Sequence, residues 1–227
     1  MNNFKEITKQ IEEARGRSPY DQEVTLIAVT KKVEMDRVNE AIRDGTLEVA
    51  ENRVQDLLER FPSYEGDFKM HFIGHLQRNK VSQLLDLPIE LIHGVDSLRL
   101  AKEIDKEAKK RGFVQNILVQ VSVAGEKQKF GLERDELEDF FMAVSDLAHI
   151  RVEGLMMMAP FTDNPEETRP FFKITKDIFD YYKENNYNNV YMNSLSMGMT
   201  NDFGVAIEEG STMVRIGTGL FPRRIDE

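Results

Sequence analysis

Short apolar segments alternate with amphipathic segments along almost the whole chain. The apolar segments are rich in β-branched residues, which is typical of strands buried on both faces. They lie at 24–29, 47–50, 70–74, 89–94, 116–123, 151–156, 190–195 and 212–217. Between them, apolar residues recur at three- and four-residue steps and predict helices. These lie at 34–44, 51–60, 78–86, 97–111, 133–147, 166–184 and 202–209, and a further helix at 3–15 ends at Gly16.

The regular alternation of strand and helix predicts an α/β fold with a parallel sheet joined by right-handed crossovers. Eight such units favour a closed (β/α)8 TIM barrel, preceded by the extra N-terminal helix. The alternative is an open doubly wound sheet, which would carry a glycine-rich fingerprint after its first strand. The sequence there is TKKVEMD, so the barrel is favoured. A length of 227 residues suits one barrel domain over residues 1–227, although two small domains would also fit.

The charge balance narrows the class of ligand. Thirty lysines and arginines against forty acidic residues give a net charge of −10, which disfavours binding to nucleic acid or to anionic membranes. The lack of cysteine excludes disulfides, thiolate nucleophiles and cysteine-based zinc sites. The charged N-terminal segment lacks the apolar core of a signal peptide, and no apolar window is long enough to span a membrane. We therefore expect a cytoplasmic protein.

Barrel active sites form where the strands end at their carboxyl side, and a lysine stands there after the first strand. Lys31 shares a strand face with Ile27 and Val29. If that face points into the barrel, an apolar wall would partly shield Lys31 from water and favour the neutral amine that Schiff-base chemistry needs. The alternative is that Lys31 and Lys32 simply begin a solvated loop.

The last two predicted strands are followed by small residues. The turn at 217–219 reads GTG, and the segment at 196–200 reads SMGMT. Adjacent loops of this kind favour a phosphate site, because glycine allows backbone amides to approach an anion. The alternative is two ordinary tight turns. His71 and His75 have the spacing of a helical metal pair, but they lie in a predicted strand, so no metal site is expected.

Seven motifs cover the chain nearly end to end. They are LIAVTKK (26–32), EVAENRVQD (48–56), HFIGHLQRNK (71–80), EKQKFGL (126–132), VEGLMMMAP (152–160), LSMGMTNDF (195–203) and GSTMVRIGTGLFPRR (210–224). Together they resemble the pyridoxal phosphate homeostasis protein family (YggS/PROSC), the single-domain relatives of the alanine racemase barrel. The resemblance implies a barrel of the alanine racemase N-terminal type and pyridoxal 5′-phosphate (PLP) as cofactor.

The resemblance also implies roles for residues of this sequence. Lys31, rather than Lys32, would carry PLP as an internal aldimine. Arg215 matches the arginine that faces the pyridine nitrogen, and Asn52 and His75 lie in segments that border the cofactor. The phosphate would be held by Ser196, Met199, Thr200, Gly217 and Thr218.

The implied arrangement suits a cofactor carrier better than a fast enzyme. Arginine opposite the ring nitrogen favours an unprotonated pyridine, which withdraws electrons less strongly. The alanine racemases take a second acid–base group from an added β domain and a partner subunit, and we expect no such domain here. The resemblance therefore implies a monomer that buffers PLP and delivers it to dependent apo-enzymes. A slow PLP-dependent amino-acid racemase is the alternative.

Overall fold

Eight parallel strands close into a barrel in sequence order, with β8 paired to β1. The computed structural model describes residues 3–123 and 130–222. Its strands are β1 (Thr25–Val29), β2 (Glu48–Glu51), β3 (Lys69–Phe72), β4 (Ile89–Val95), β5 (Gln115–Gln120), β6 (Ile150–Met156), β7 (Val190–Met199) and β8 (Met213–Ile216). The predicted parallel barrel is confirmed, and the open doubly wound sheet is excluded.

The helices follow the order that the hydrophobic pattern predicts. They are α1 (Phe4–Arg17), α2 (Met35–Arg43), α3 (Val54–Arg60), α4 (Val81–Leu84), α5 (Leu98–Arg111), α6 (Leu137–Val144), α7 (Arg169–Lys183) and α8 (Phe203–Glu208). Helices α2 to α8 connect consecutive strands, and α1 packs against α8. The backbone N–H of Asn3, just before α1, donates to the Leu220 carbonyl, so the start of α1 is fixed to the segment after β8.

The interior of the barrel differs in chemistry from the layer between strands and helices. Apolar side chains fill that outer layer almost without interruption, which provides most of the buried area. Inside the barrel, a small apolar cluster of Leu91, Leu118 and Met156 is buried separately. Buried polar residues accompany it, and they lead to the candidate site described below.

Several predicted element ends differ from the structure by a few residues, and for two of them the local cause is clear. Helix α1 continues through Gly16 to Arg17, because the helix ends only where the Ser18 N–H bonds back to the carbonyls of Ala14 and Arg15. The segment 196–199, predicted as a loop, belongs to β7. Its residues pair with β8, and Gly198 absorbs the register shift there with a positive φ of 92°.

Part of the predicted domain lies outside the described residues. This applies to residues 1–2 and 223–227 and to most of the EKQKFGL motif, namely 126–129. Over the ranges that are described, none of the helices combines the length and apolarity that a membrane crossing needs.

Candidate functional site

Arg215 of β8 lies inside the barrel and is only 4% exposed. Its Nη1 donates to Ser196 Oγ at 2.6 Å, and its Nη2 donates to the Met157 carbonyl at 2.9 Å. Burial lowers the pKa of Arg215 to about 10, and the charge of Asp202 opposes that shift. The guanidinium therefore stays charged at neutral pH, and its hydrogen bonds to β7 and to the residue after β6 fix its orientation.

The segments that follow β7 and β8 are in direct contact. The backbone N–H of Gly219 donates to Thr200 Oγ1 at 3.3 Å. A Cβ on Gly219 would lie 2.9 Å from Thr200 Cγ2, so glycine permits this approach. Asp202 Oδ1 accepts from the Met199 N–H at 2.6 Å, which fixes the end of β7. Met199 and Thr218 are exposed, so this surface is open to a ligand.

Lys31 stands in a tight turn immediately after β1. The Val33 N–H donates to the Thr30 carbonyl at 3.0 Å, and Lys32 takes a left-handed backbone conformation with φ 61°. Both Lys31 and Lys32 are exposed. Of the two interpretations that the sequence left open, this exposure favours the solvated loop over an apolar wall that shields Lys31.

A buried cluster beneath this turn holds it in place. Arg60 Nη2 donates to the carbonyls of Thr30 at 3.1 Å and Val33 at 2.7 Å, on either side of the two lysines. Arg60 Nε lies 3.3 Å from Glu51 Oε1, and Glu51 is fully buried. The Thr30 hydroxyl donates to the same carboxylate oxygen at 3.1 Å, and the Tyr64 hydroxyl at 3.2 Å. Four side chains from three segments therefore determine where Lys31 stands.

The cluster carries two perturbed pKa values. Burial raises the pKa of Glu51, and the charge of Arg60 and the hydroxyl hydrogen bonds only partly offset that effect. Burial and the neighbouring Glu51 charge raise the pKa of Tyr64 to about 12. The sequence indicated only that Glu51 directly follows a predicted strand. Its partner Thr30 lies in the turn after β1, and Arg60 and Tyr64 lie in the following helix and turn, where nothing in the pattern distinguishes them.

Asn52 and His75 follow β2 and β3 at the same edge of the barrel. A Cβ on Gly74 would lie 1.9 Å from the Asn52 carbonyl oxygen, so these two strand ends touch through their backbones. The exposed His75 places Nδ1 at 3.2 Å from Asp96 Oδ2. Its ring stacks on Phe130 with the two ring centres 3.8 Å apart. His75 is therefore held at the mouth of the barrel.

The predicted residues divide into two groups. Ser196 and Arg215 are hydrogen-bonded to each other, and the segments of Thr200 and Gly217 meet through Gly219. Gly217 also lies against β1, since a Cβ there would be 3.6 Å from Val29 Cβ. The other group comprises Lys31, Asn52 and His75, which stand on the separate ends of β1, β2 and β3.

Two buried histidines near Ser196 were not predicted to take part. His93 Nδ1 lies 3.0 Å from Ser196 Oγ, and His93 Nε2 lies 2.9 Å from His71 Nδ1. The spacing of His71 and His75 suggested at most a metal pair, but His71 is buried in β3 and His75 is exposed beyond it. The sequence signal for these two histidines is that each is a polar residue in an otherwise apolar strand.

Comparisons with known proteins place the chain in a family. A sequence model described as the alanine racemase N-terminal domain matches residues 3–223. The pyridoxal phosphate homeostasis protein of Aquifex aeolicus is 41% identical over 200 residues, 88% of this chain and 86% of the relative. The Escherichia coli K12 protein of the same name is 32% identical over 214 residues, 92% of this chain and 88% of the relative. This chain belongs to the pyridoxal phosphate homeostasis protein family.

A solved relative agrees with the fold. The structure of PipY from Synechococcus elongatus PCC7942 with PLP bound superposes with a TM-score of 0.80 and is 29% identical. The match covers 95% of this chain and 99% of that one. The expected barrel of the alanine racemase N-terminal type is confirmed.

Proposed function

We propose that this chain binds PLP through Lys31 and serves in intracellular PLP homeostasis, buffering the cofactor and delivering it to dependent apo-enzymes without fast amino-acid turnover. The observation that carries the proposal is the buried Arg215–Ser196 pair, at 2.6 Å, beneath two touching loops at the carboxyl end of the barrel. The names of the relatives and the PLP-bound PipY structure support the same cofactor.

The residues present fit the chemistry of PLP. When bound, PLP supplies an aldehyde carbon that a primary amine attacks and a pyridine ring that can delocalise negative charge. The exposed Lys31 offers the amine. The segments of Ser196, Met199, Thr200, Gly217 and Thr218 offer hydroxyl and backbone donors for a phosphate. Charge-assisted hydrogen bonds of this kind are the strong ones.

Arg60 and Arg215 have different roles in the proposed site. Arg60 fixes the carbonyls on both sides of the lysine pair, so it orients the turn and needs no contact with the cofactor. Arg215 keeps its proton at neutral pH, and a guanidinium has no acceptor for another. A ring nitrogen facing Arg215 would therefore remain unprotonated. Because Lys31 is exposed, a bond from its amine to the cofactor would be accessible to competing amines, which would suit transfer.

One observation favours a second function. His75 Nδ1 and Asp96 Oδ2 lie 3.2 Å apart at the same end of the barrel, and a histidine–carboxylate pair of this kind can move a proton. Slow amino-acid racemisation is therefore the alternative. Steady-state turnover of alanine, serine or glutamate enantiomers at about 1 s⁻¹ or faster would favour it.

The attachment point is tested by a matched pair of substitutions. Lys31→Ala should abolish the visible absorption of bound PLP and the cofactor fixed by borohydride, because the attacking amine is gone. Lys32→Ala removes a charge of the same kind one residue away and should retain both signals. Peptide mapping after reduction locates the modified lysine. A labelled peptide that carries the cofactor on Lys32 would overturn the assignment.

A further inference from the structure

A continuous chain of polar side chains crosses the interior of the barrel. From the carboxyl end it runs Arg215, Ser196, His93, His71 and Glu48, with contacts of 2.6, 3.0, 2.9 and 2.5 Å. The first four side chains belong to buried residues, and Glu48 is 19% exposed. The contacts join β8, β7, β4, β3 and β2. One end of this polar series therefore lies in the candidate PLP site, and its other end lies near solvent at the opposite end of the barrel.

The solvent end opens into a cavity of about 330 Å³ at the amino end of the barrel. The charged or titratable groups that line it, apart from Glu48 and His71, are Lys69, Glu90 and Glu153. Lys69 Nζ lies 3.5 Å from Glu48 Oε1 and 3.7 Å from Glu90 Oε1. The remaining lining residues are uncharged, namely Thr25, Leu91, Asn116, Ser194 and Met213. A proton can therefore reach the Glu48–His71 pair from this side.

The donors and acceptors of this series of polar side chains allow two complete hydrogen-bond patterns. Burial, followed by the charges of His71 and Arg215, lowers the pKa of His93 well below its ordinary value, so His93 is neutral and has one donor and one acceptor. In the first pattern, the Ser196 hydroxyl donates to His93 Nδ1, and His93 Nε2–H donates to His71 Nδ1. His71 Nε2–H then donates to the Glu48 carboxylate.

The second pattern runs in the opposite direction. His71 Nδ1–H donates to His93 Nε2, and His93 Nδ1–H donates to Ser196 Oγ. The Glu48–His71 pair then holds one proton more than in the first pattern, either on His71 Nε2 or on the carboxylate. Ser196 Oγ accepts from both His93 and Arg215, and its own hydrogen becomes available to a further acceptor.

We propose that His71 and His93 are positioning residues that orient the Ser196 hydroxyl, and that binding of an anion at the candidate phosphate site is linked to uptake of one proton by the Glu48–His71 pair. This inference rests on the proposed function, since it takes the phosphate of PLP as the anion. The Ser196 hydroxyl can donate to that anion only in the second pattern, and the second pattern requires the additional proton. Solvent at the amino end supplies it.

The test measures how many protons accompany binding. Calorimetric titration of PLP at one pH, in buffers with different ionisation enthalpies, gives the number of protons taken up per ligand. His71→Gln should take up fewer protons than the unaltered protein, by up to about one per PLP. The affinity for PLP should therefore change less with pH in the variant, by up to about a factor of ten per pH unit. His149→Gln is the matched control, because His149 does not belong to this series of polar contacts. Its Nδ1 lies 3.8 Å from Asp105 Oδ1.

Titration with pyridoxal, which lacks the phosphate, shows whether the proton uptake depends on the phosphate group. The proton uptake that depends on His71 should disappear when pyridoxal replaces PLP, because nothing then draws the Ser196 hydroxyl away from His93. Equal proton numbers for the unaltered protein and His71→Gln with PLP would overturn the inference. So would a His71-dependent uptake of the same size with pyridoxal.

A measurement without substitution covers the case in which His71→Gln does not fold. The chain has only four histidines, so nitrogen resonances of a histidine-labelled sample can be assigned. Addition of PLP should move the hydrogen on His93 from Nε2 to Nδ1, and unchanged His93 resonances would overturn the inference. If the unaltered protein fails to retain PLP at all, the proposed function fails. If PLP is retained with neither change, only the linkage fails.

Discussion

Arg60 is one of the side chains that hold the turn carrying Lys31, and Arg60→Met tests how strongly the turn depends on it. Methionine retains much of the apolar stem of Arg60 but removes its contact with buried Glu51 at 3.3 Å and its hydrogen bonds to the carbonyls of Thr30 and Val33. Removing one partner of a buried ion pair costs about 3–5 kcal/mol. Arg60 is 21% exposed, so water replaces part of what is lost. We therefore expect the free energy of unfolding at pH 8 to fall by about 3 kcal/mol.

The loss should depend on pH in a direction that the structure fixes. Burial already raises the pKa of Glu51 above 4.5, and Arg60 opposes that shift. Without Arg60, the pKa in the folded state rises further, while the unfolded state keeps its ordinary value. The folded variant then binds a proton that the unfolded chain does not, so its stability increases as pH falls through the folded pKa. The deficit relative to the unaltered protein should be smaller at pH 5.5 than at pH 8, by at most about 1.4 kcal/mol per pH unit.

Urea unfolding at the two pH values measures this difference. Arg43→Met is the control, because the Arg43–Glu65 pair is 3.5 Å apart and both side chains are more than 60% exposed. It should change stability by less than about 1 kcal/mol at either pH. When both proteins also carry Glu51→Gln, the deficit caused by Arg60→Met should no longer depend on pH. A deficit of equal size at both pH values would refute the reasoning about Glu51.

Two further substitutions test the packing around the site. Gly74→Ala would place Cβ 1.9 Å from the Asn52 carbonyl oxygen, so we expect a loss of at least about 2 kcal/mol in urea unfolding. The control Gly16→Ala, in α1 with open space around the new Cβ, should gain about 0.5–1 kcal/mol, and equal effects would contradict the packing argument. Tyr64→Phe removes a buried hydroxyl that bonds to a carboxylate at 3.2 Å and should cost about 1–2 kcal/mol. Tyr187→Phe removes an exposed one, and a loss as large as that of Tyr64→Phe would contradict the role of burial.

The order of elements could be predicted from the sequence because strand and helix have different hydrophobic periods. The end of β7 could not. Its residues 196–199 are small or flexible and resemble a loop locally, yet they pair with Met156, Met213 and Arg215 on the neighbouring strands. Pairing partners so far away in the sequence leave no trace in the local pattern, so the strand was predicted four residues too short.

The site was predictable only where a motif identified it. The hydrogen bond between Ser196 and Arg215 joins two residues that the family resemblance had named, although their contacts with PLP remain predictions. His93 is 103 residues from Ser196 along the chain, and His71 is 22 residues from His93. Periodicity shows that each histidine interrupts an apolar strand, but it cannot show which strands face each other inside the barrel.

Arg215 and Lys31 differ in burial, and on the proposed function this difference would let one end of the barrel both hold PLP and release it. Arg215 is buried and bonded to Ser196 and a backbone carbonyl, so it is already in place before any ligand arrives and loses little conformational entropy on binding. Lys31 is exposed, and only the backbone around it is fixed, by Arg60. On the proposed function, the rigid buried Arg215 would favour binding of the ring and phosphate, whereas a covalent bond to the exposed Lys31 amine would be open to exchange. Burying Lys31 equally deeply would strengthen retention and hinder transfer.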